Sequence, residues 1–143
     1  MESLKVLTLG KYIKKKIGSE SIYKFLKTKK CKIKHLNEYQ KINFSEKFDL
    51  VISYGYGIIL DDKTIKKISS NIINLHIGYL PFARGLYPLV WSLIFKKPLG
   101  VTFHTIENKK IDSGKIIFKK KINLNKTHTL LDIHTLSLEQ INK

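Results

Sequence analysis

At 143 residues and 43% apolar content, the chain is sized for one domain, residues 1–143, with a real core and no room for a second substrate-binding domain. A net charge of +16 invites nucleic acid, yet lysine supplies every basic residue except Arg84, and neither a recognition motif nor basic residues interleaved with aromatics are found, so nucleic acid is disfavoured and an anionic small substrate is preferred. The single Cys31 has no internal partner, the apolar run Leu50–Leu60 is too short to span a bilayer, and Leu4–Leu9 is too short for a signal sequence, which points to a cytoplasmic, soluble protein with no membrane contact.

Leu4–Leu9 followed by Gly10 reads as a short strand ending in a turn, and Ser21–Lys30 as a helix with Ile22, Phe25 and Leu26 on one face. Cys31–Leu36 supplies a second strand and Phe48–Ser53 a strand of the kind buried on both faces in a parallel sheet. Asp61-Asp62 caps a helix through Ile68. Asn71–Leu75 is a further buried strand, Leu86–Phe95 a helix, Val101–Ile106 and Lys115–Ile122 strands, and Thr129–Ile141 a closing helix. Strands alternating with helices predict an α/β fold, a doubly wound and mostly parallel sheet in which ligands collect beyond the carboxyl ends of the strands. The runs Lys14–Lys16 and Lys119–Lys121 read as solvated faces.

Chemistry concentrates in two places. Asn74-Leu-His76 ends an apolar run, and Ile111-Asp112-Ser-Gly114 follows a later strand. An amide, an imidazole and a carboxylate at strand ends can act together, the first two holding a developing oxyanion while the acid orients and charges the imidazole, which makes acyl-type transfer the leading idea. Asn74 and His76 lie two apart, so on an extended strand they share a face. Taken singly, each has an ordinary structural explanation: an amide bonding backbone, a packed histidine, an aspartate capping a turn with Gly114. Arg84 lies in Pro81-Phe-Ala-Arg84-Gly85, where a planar fork suits an anion and suits main-chain carbonyls equally well. His35, His128 and His134 lack metal-ligand spacing, so no metal is expected.

From Phe48 to Ile117 the sequence resembles the folate-dependent formyltransferases, the group that formylates glycinamide ribonucleotide, methionyl-tRNA and nucleotide-linked amino sugars. Asn74-Leu-His76 is similar to the family's Asn-x-His, Tyr79-Leu80-Pro81 to the loop after it, Ile111-Asp112-Ser-Gly114 to its Asp-x-Gly, and Asp49–Leu60 to the segment lining the folate pocket. The resemblance implies a Rossmann-like formyltransferase fold, 10-formyltetrahydrofolate as formyl donor, and Asn74, His76 and Asp112 as catalytic residues. It places Tyr56, Ile59, Leu60 and Ile111 at the donor, and Tyr79, Arg84, Tyr87, Trp91 and His104 at the amine substrate. Arg84-Gly-Leu-Tyr87-Pro-Leu-Val-Trp91-Ser and Gly100–His104 look most like the sugar-type enzymes, whose substrate is an anionic sugar nucleotide. Methionyl-tRNA enzymes carry a further domain not expected here, and the glycinamide ribonucleotide enzymes have a Gly/Ser/Asn-rich loop where this chain has Lys11-Tyr-Ile-Lys-Lys-Lys16. Those two activities, and a catalytically inactive folate- or anion-binding member of the fold, are the alternatives. A homodimer is left open.

Overall fold

The computed structural model describes residues 3–11, 19–43, 46–68 and 71–141. In chain order the elements are β1 (Lys5–Gly10), α1 (Ser19–Thr28), β2 (Lys32–Leu36), β3 (Leu50–Tyr54), α2 (Asp62–Ile68), β4 (Ile72–His76), α3 (Pro88–Ile94), β5 (Gly100–Thr105), β6 (Ile116–Lys121) and α4 (Leu130–Ile141). Every element read from the sequence is present, its ends displaced by at most two residues.

One six-stranded sheet runs in the order β2-β1-β3-β4-β5-β6. The first three pairings are parallel, as expected where helices return the chain across the sheet. The β4–β5 and β5–β6 pairings are antiparallel. For the second of these the reason is length: residues 106–115 contain no helix, and a parallel neighbour needs a crossover of roughly a dozen residues or more.

The faces of the sheet differ. On one, Leu7, Leu9, Val51 and Ile72 pack against Ile65 and Ile68 of α2. On the other, Tyr54, Leu75 and Val101 pack against Leu138 and Ile141 of α4, with Ile22 of α1 alongside. Leu89 of α3 joins Leu99 and Ile133 in a smaller cluster on that side. Asp61 caps α2 by accepting the Thr64 amide at 2.6 Å, and Thr129 with Asp132 forms a reciprocal cap at the start of α4. On α1, Leu26 is buried but Phe25 is 58% exposed, contrary to its expected place on the apolar face; its ring instead lies 5.5 Å from the Lys29 ammonium. The stripe facing the sheet is narrower than the sequence spacing suggests. All six residues of β6 are exposed, including the run Lys119–Lys121, whereas Lys14–Lys16 fall outside the described residues. Among the described residues no helix is long and apolar enough to cross a membrane.

Two glycines fix the carboxyl ends of the strands. Gly10 has φ +107°, and a Cβ there would meet the Tyr54 carbonyl at 1.9 Å. A Cβ on Gly114 would lie 1.8 Å from the Thr105 carbonyl oxygen, so only glycine lets the chain after Asp112 close onto β5. Gly114→Ala is therefore expected to cost about 1–3 kcal/mol, the usual penalty for overpacking. Urea unfolding checks this, and a midpoint equal to that of the parent would contradict it.

Candidate active site

On the face shared with α2, each central strand changes character along its length. β3 presents Val51 and then Ser53; β4 presents Ile72, then Asn74, then His76. The period-two alternation of a strand puts these side chains on one side, and cross-strand pairing adds β5, with Asn74 opposite His104 and His76 opposite Thr102. The amino ends of the strands thus carry the core and the carboxyl ends carry polar groups. Ser53, His76, Thr102 and His104 are all buried, and buried polar groups must find partners.

The two histidines find Asp112. Its backbone turns through φ +46°, a left-handed conformation that aspartate tolerates better than most residues, and this brings the carboxylate back over the sheet. Asn74 donates from Nδ2 to Asp112 Oδ1 at 3.3 Å, and His104 Nε2 lies 3.2 Å from the same oxygen. Asn74 Nδ2 is also 3.2 Å from His104 Nε2. The other oxygen, Oδ2, accepts the Gly85 amide at 2.8 Å and lies 3.6 Å from His76 Nδ1. Each imidazole spends its second nitrogen on the backbone: His104 Nδ1 donates to the Thr105 carbonyl at 2.8 Å, and His76 Nε2 donates to the Ala83 carbonyl. With those nitrogens occupied, His76 Nδ1 and His104 Nε2 are the ring atoms that face the carboxylate. The two rings meet edge to face at 6.2 Å.

Burial works against charge on both partners. It dominates for His76 and lowers its pKa below the ordinary 6.5, although Asp112 and the Ala83 carbonyl pull the other way. For Asp112 burial is also the largest influence and would raise the pKa; the His104 hydrogen bond, the nearby His76 and the Gly85 amide together outweigh it, so the carboxyl ends below its ordinary 3.8.

A cavity of about 120 Å³ opens beside this cluster. Asn74, His104 and Asp112 form its polar wall; Tyr56, Ile58, Ile59, Leu60 and Ile111 form the apolar one. The 106–112 loop closes the rim and is pinned to α2, where the Lys109 amide donates to Asp62 Oδ1 at 2.9 Å. Tyr56 is held by its hydroxyl, which donates to the Gln40 carbonyl at 2.7 Å. The four residues expected at the donor are thus gathered with Asn74, His104 and Asp112.

The other expected site residues are placed differently. His76 lies behind Asp112 rather than on the cavity wall, because Ala83 holds its far nitrogen. His104, expected at the substrate, is inside the carboxylate cluster. Tyr79 sits toward the opposite end of β5, against Gly100 and 4.7 Å from the Lys119 ammonium. Tyr87 and Trp91 are exposed on the α3 side, Trp91 stacked on Phe95 at 5.9 Å, and neither lines the cavity. Arg84 is exposed and, among the described residues, bonds to no carbonyl. Sequence reasoning misses Thr102, which joins the Gly78 carbonyl and the Leu80 amide, although a polar residue amid an apolar strand is a usable signal. It also misses the Ala83 carbonyl and the Gly85 amide, which leave no mark on residue identity.

Comparison with known proteins supplies the relationship. The formyl transferase family model matches residues 3–140. This chain belongs to the formyl transferase family. It is 34% identical over 124 residues to the bifunctional polymyxin resistance protein ArnA of Wigglesworthia glossinidia brevipalpis, covering 78% of the chain and 19% of that protein. It is 29% identical over 100 residues to a methionyl-tRNA formyltransferase of Desulforamulus reducens, covering 69% and 31%. The chain therefore spans a fifth to a third of the length of the curated relatives it matches. Among solved structures, the formyltransferase PseJ of Anoxybacillus kamchatkensis superposes with a TM-score of 0.81 at 28% identity, over 96% of this chain and 71% of that one.

The buried ring and carboxyl set the pH response of the fold. Unfolded His76 takes up a proton near 6.5 while the folded ring resists, so stability falls as pH drops below that value. The depressed Asp112 contributes stability that is present above 3.8 and lost as pH falls through its lower folded value. His35 and His134, also lowered chiefly by burial, act in the same direction as His76. Urea midpoints are expected to fall from pH 7 to pH 5, and less steeply in His76→Asn. Equal slopes in the two proteins would remove His76 as a cause.

Proposed function

We propose that this chain transfers the formyl group of 10-formyltetrahydrofolate to a primary amine, and that the amine is carried by a nucleotide-linked amino sugar, an anionic substrate. The observation behind the reading is the Asp112 carboxylate held among Asn74, His76 and His104 at the edge of a cavity whose opposite wall is apolar. Such a cavity fits a flat heterocycle with its reactive edge toward the polar groups. Tyr56, Ile59, Leu60 and Ile111 would hold that heterocycle. The substrate class is supported by PseJ, whose structure is a complex with UDP-4,6-dideoxy-4-formamido-L-AltNAc and tetrahydrofolate.

The donor supplies an electrophilic formyl carbon whose oxygen becomes anionic when an amine adds. Asn74, on the cavity wall, offers side-chain N–H groups; turning one from His104 Nε2 to that oxygen would stabilise the charge. With His104 Nδ1 held by the Thr105 carbonyl, its Nε2 would take the proton that the attacking nitrogen loses and return it to the donor nitrogen as the formyl C–N bond breaks, releasing tetrahydrofolate. Asp112 Oδ1, 3.2 Å away, stabilises the imidazolium that results. His76 acts through Asp112 as a positioning residue, holding Oδ2 from the side away from the cavity.

Formyl transfer assays with a panel of nucleotide-linked amino sugars, glycinamide ribonucleotide and methionyl-tRNA test the reading. Turnover is expected on the sugars, with Asn74→Ala lowering kcat by about 100- to 1000-fold, the usual loss of an oxyanion donor. Asp112→Asn and His76→Ala are expected to lose comparable amounts, and not additively, because the residues act as a unit. Equal turnover by parent and variants would sink the assignment.

A further inference from the structure

Two of the backbone groups that reach into the Asp112 cluster flank a single residue. The Ala83 carbonyl, which accepts the His76 Nε2 proton, belongs to the peptide unit entering Arg84. The Gly85 amide, which donates to Asp112 Oδ2 at 2.8 Å, belongs to the peptide unit leaving it. Only the φ and ψ rotations of Arg84 separate these two planes. One plane is fixed on the histidine and the other on the aspartate. Gly78 permits the arrangement, since a Cβ there would lie 2.4 Å from His76 Nε2 and 2.7 Å from the Ala83 oxygen.

The backbone at Arg84 is therefore anchored on both sides while its side chain is not. Ala83 is buried and Gly85 half-buried, yet Arg84 between them is exposed and, among the described residues, makes no hydrogen bond or ion pair. An arginine that braced its own loop would bond main-chain carbonyls; this one leaves its planar fork of donors for an external acceptor, and such a fork matches phosphate oxygens two at a time. A ligand that fixes the guanidinium limits the two rotations on which the neighbouring peptide planes depend.

We propose that Arg84 is a positioning residue that couples capture of a phosphate or diphosphate group on the substrate to the alignment of His76 and Asp112. The inference rests on the function proposed above. Binding energy from a part of the substrate remote from the amine would then be expressed in kcat, because it sharpens a site that reacts elsewhere.

Two measurements test it, and only one needs turnover. UDP, a nucleoside diphosphate with no amine, is added to the isotope-labelled protein while the His76 ring nitrogens are followed by NMR. In the parent protein the His76 signals are expected to shift on UDP binding; in Arg84→Gln they should stay put, and Arg84→Lys should restore part of the response. UDP binding with His76 unmoved, failure of UDP to bind the parent, or an unaltered response in Arg84→Gln would each overturn the proposal. With an amino-sugar nucleotide as substrate, Arg84→Gln is expected to lower kcat by up to about 100-fold, the scale of a small misplacement at a reacting centre. A change confined to KM would mean uniform binding and would also overturn it. If the parent formylates no amine, the proposed function falls while the NMR arm still judges the coupling.

Discussion

The site is organised by the need to keep one carboxylate charged while it is nearly out of water. An ionised acid in that position is costly unless hydrogen-bond donors and cations surround it. The two oxygens of Asp112 are served from different directions, with Asn74 and His104 reaching Oδ1 from the sheet while the Gly85 amide and His76 meet Oδ2. These groups come from separate stretches of chain. The carboxylate thereby ties β4, β5, the loop before α3 and the loop before β6 to one another.

This explains why the polar residues stand where they do on the sheet. A parallel strand buried on both faces is normally apolar throughout, and Val51, Ile72 and Leu75 follow that rule. The rule lapses at Ser53, Asn74 and His76 and at Thr102 and His104 opposite them, all on one face beside the carboxyl ends of β3 and β4, where doubly wound sheets gather their ligands. The antiparallel pairing of β5 with β4 is part of the device: it sets Asn74 directly opposite His104 and His76 opposite Thr102.

Much of this is legible in the sequence because it follows from short-range rules. The elements follow from apolar periodicity and caps such as Asp61 and Thr129, and the common face of Asn74 and His76 from the strand repeat. Proximity of Asp112 to that face is a long-range matter, carried by the motif resemblance and not by any local pattern. Three things are not legible. The direction of a histidine ring depends on which carbonyl stands behind it, so the withdrawal of His76 toward Ala83 has no signature. Backbone donors and acceptors are identical in every residue, which hides the parts played by Ala83 and Gly85. Side chains such as Phe25, Tyr87 and Trp91 are apolar enough for a core or a binding surface, and only the packed structure shows them facing outward.

The bare strand β6 changes the meaning of the lysine run it carries. Among the described residues it is an outermost strand, and such a strand bearing Ile116, Ile117 and Phe118 is a template on which another strand can add itself rung by rung. Lys119, Lys120 and Lys121 occupy the other half of that strand. Laid antiparallel or in register against an identical strand, the three cations would crowd others of their kind or interrupt the greasy stretch. On a strand paired on one side among the described residues, such charge opposes the addition of another strand.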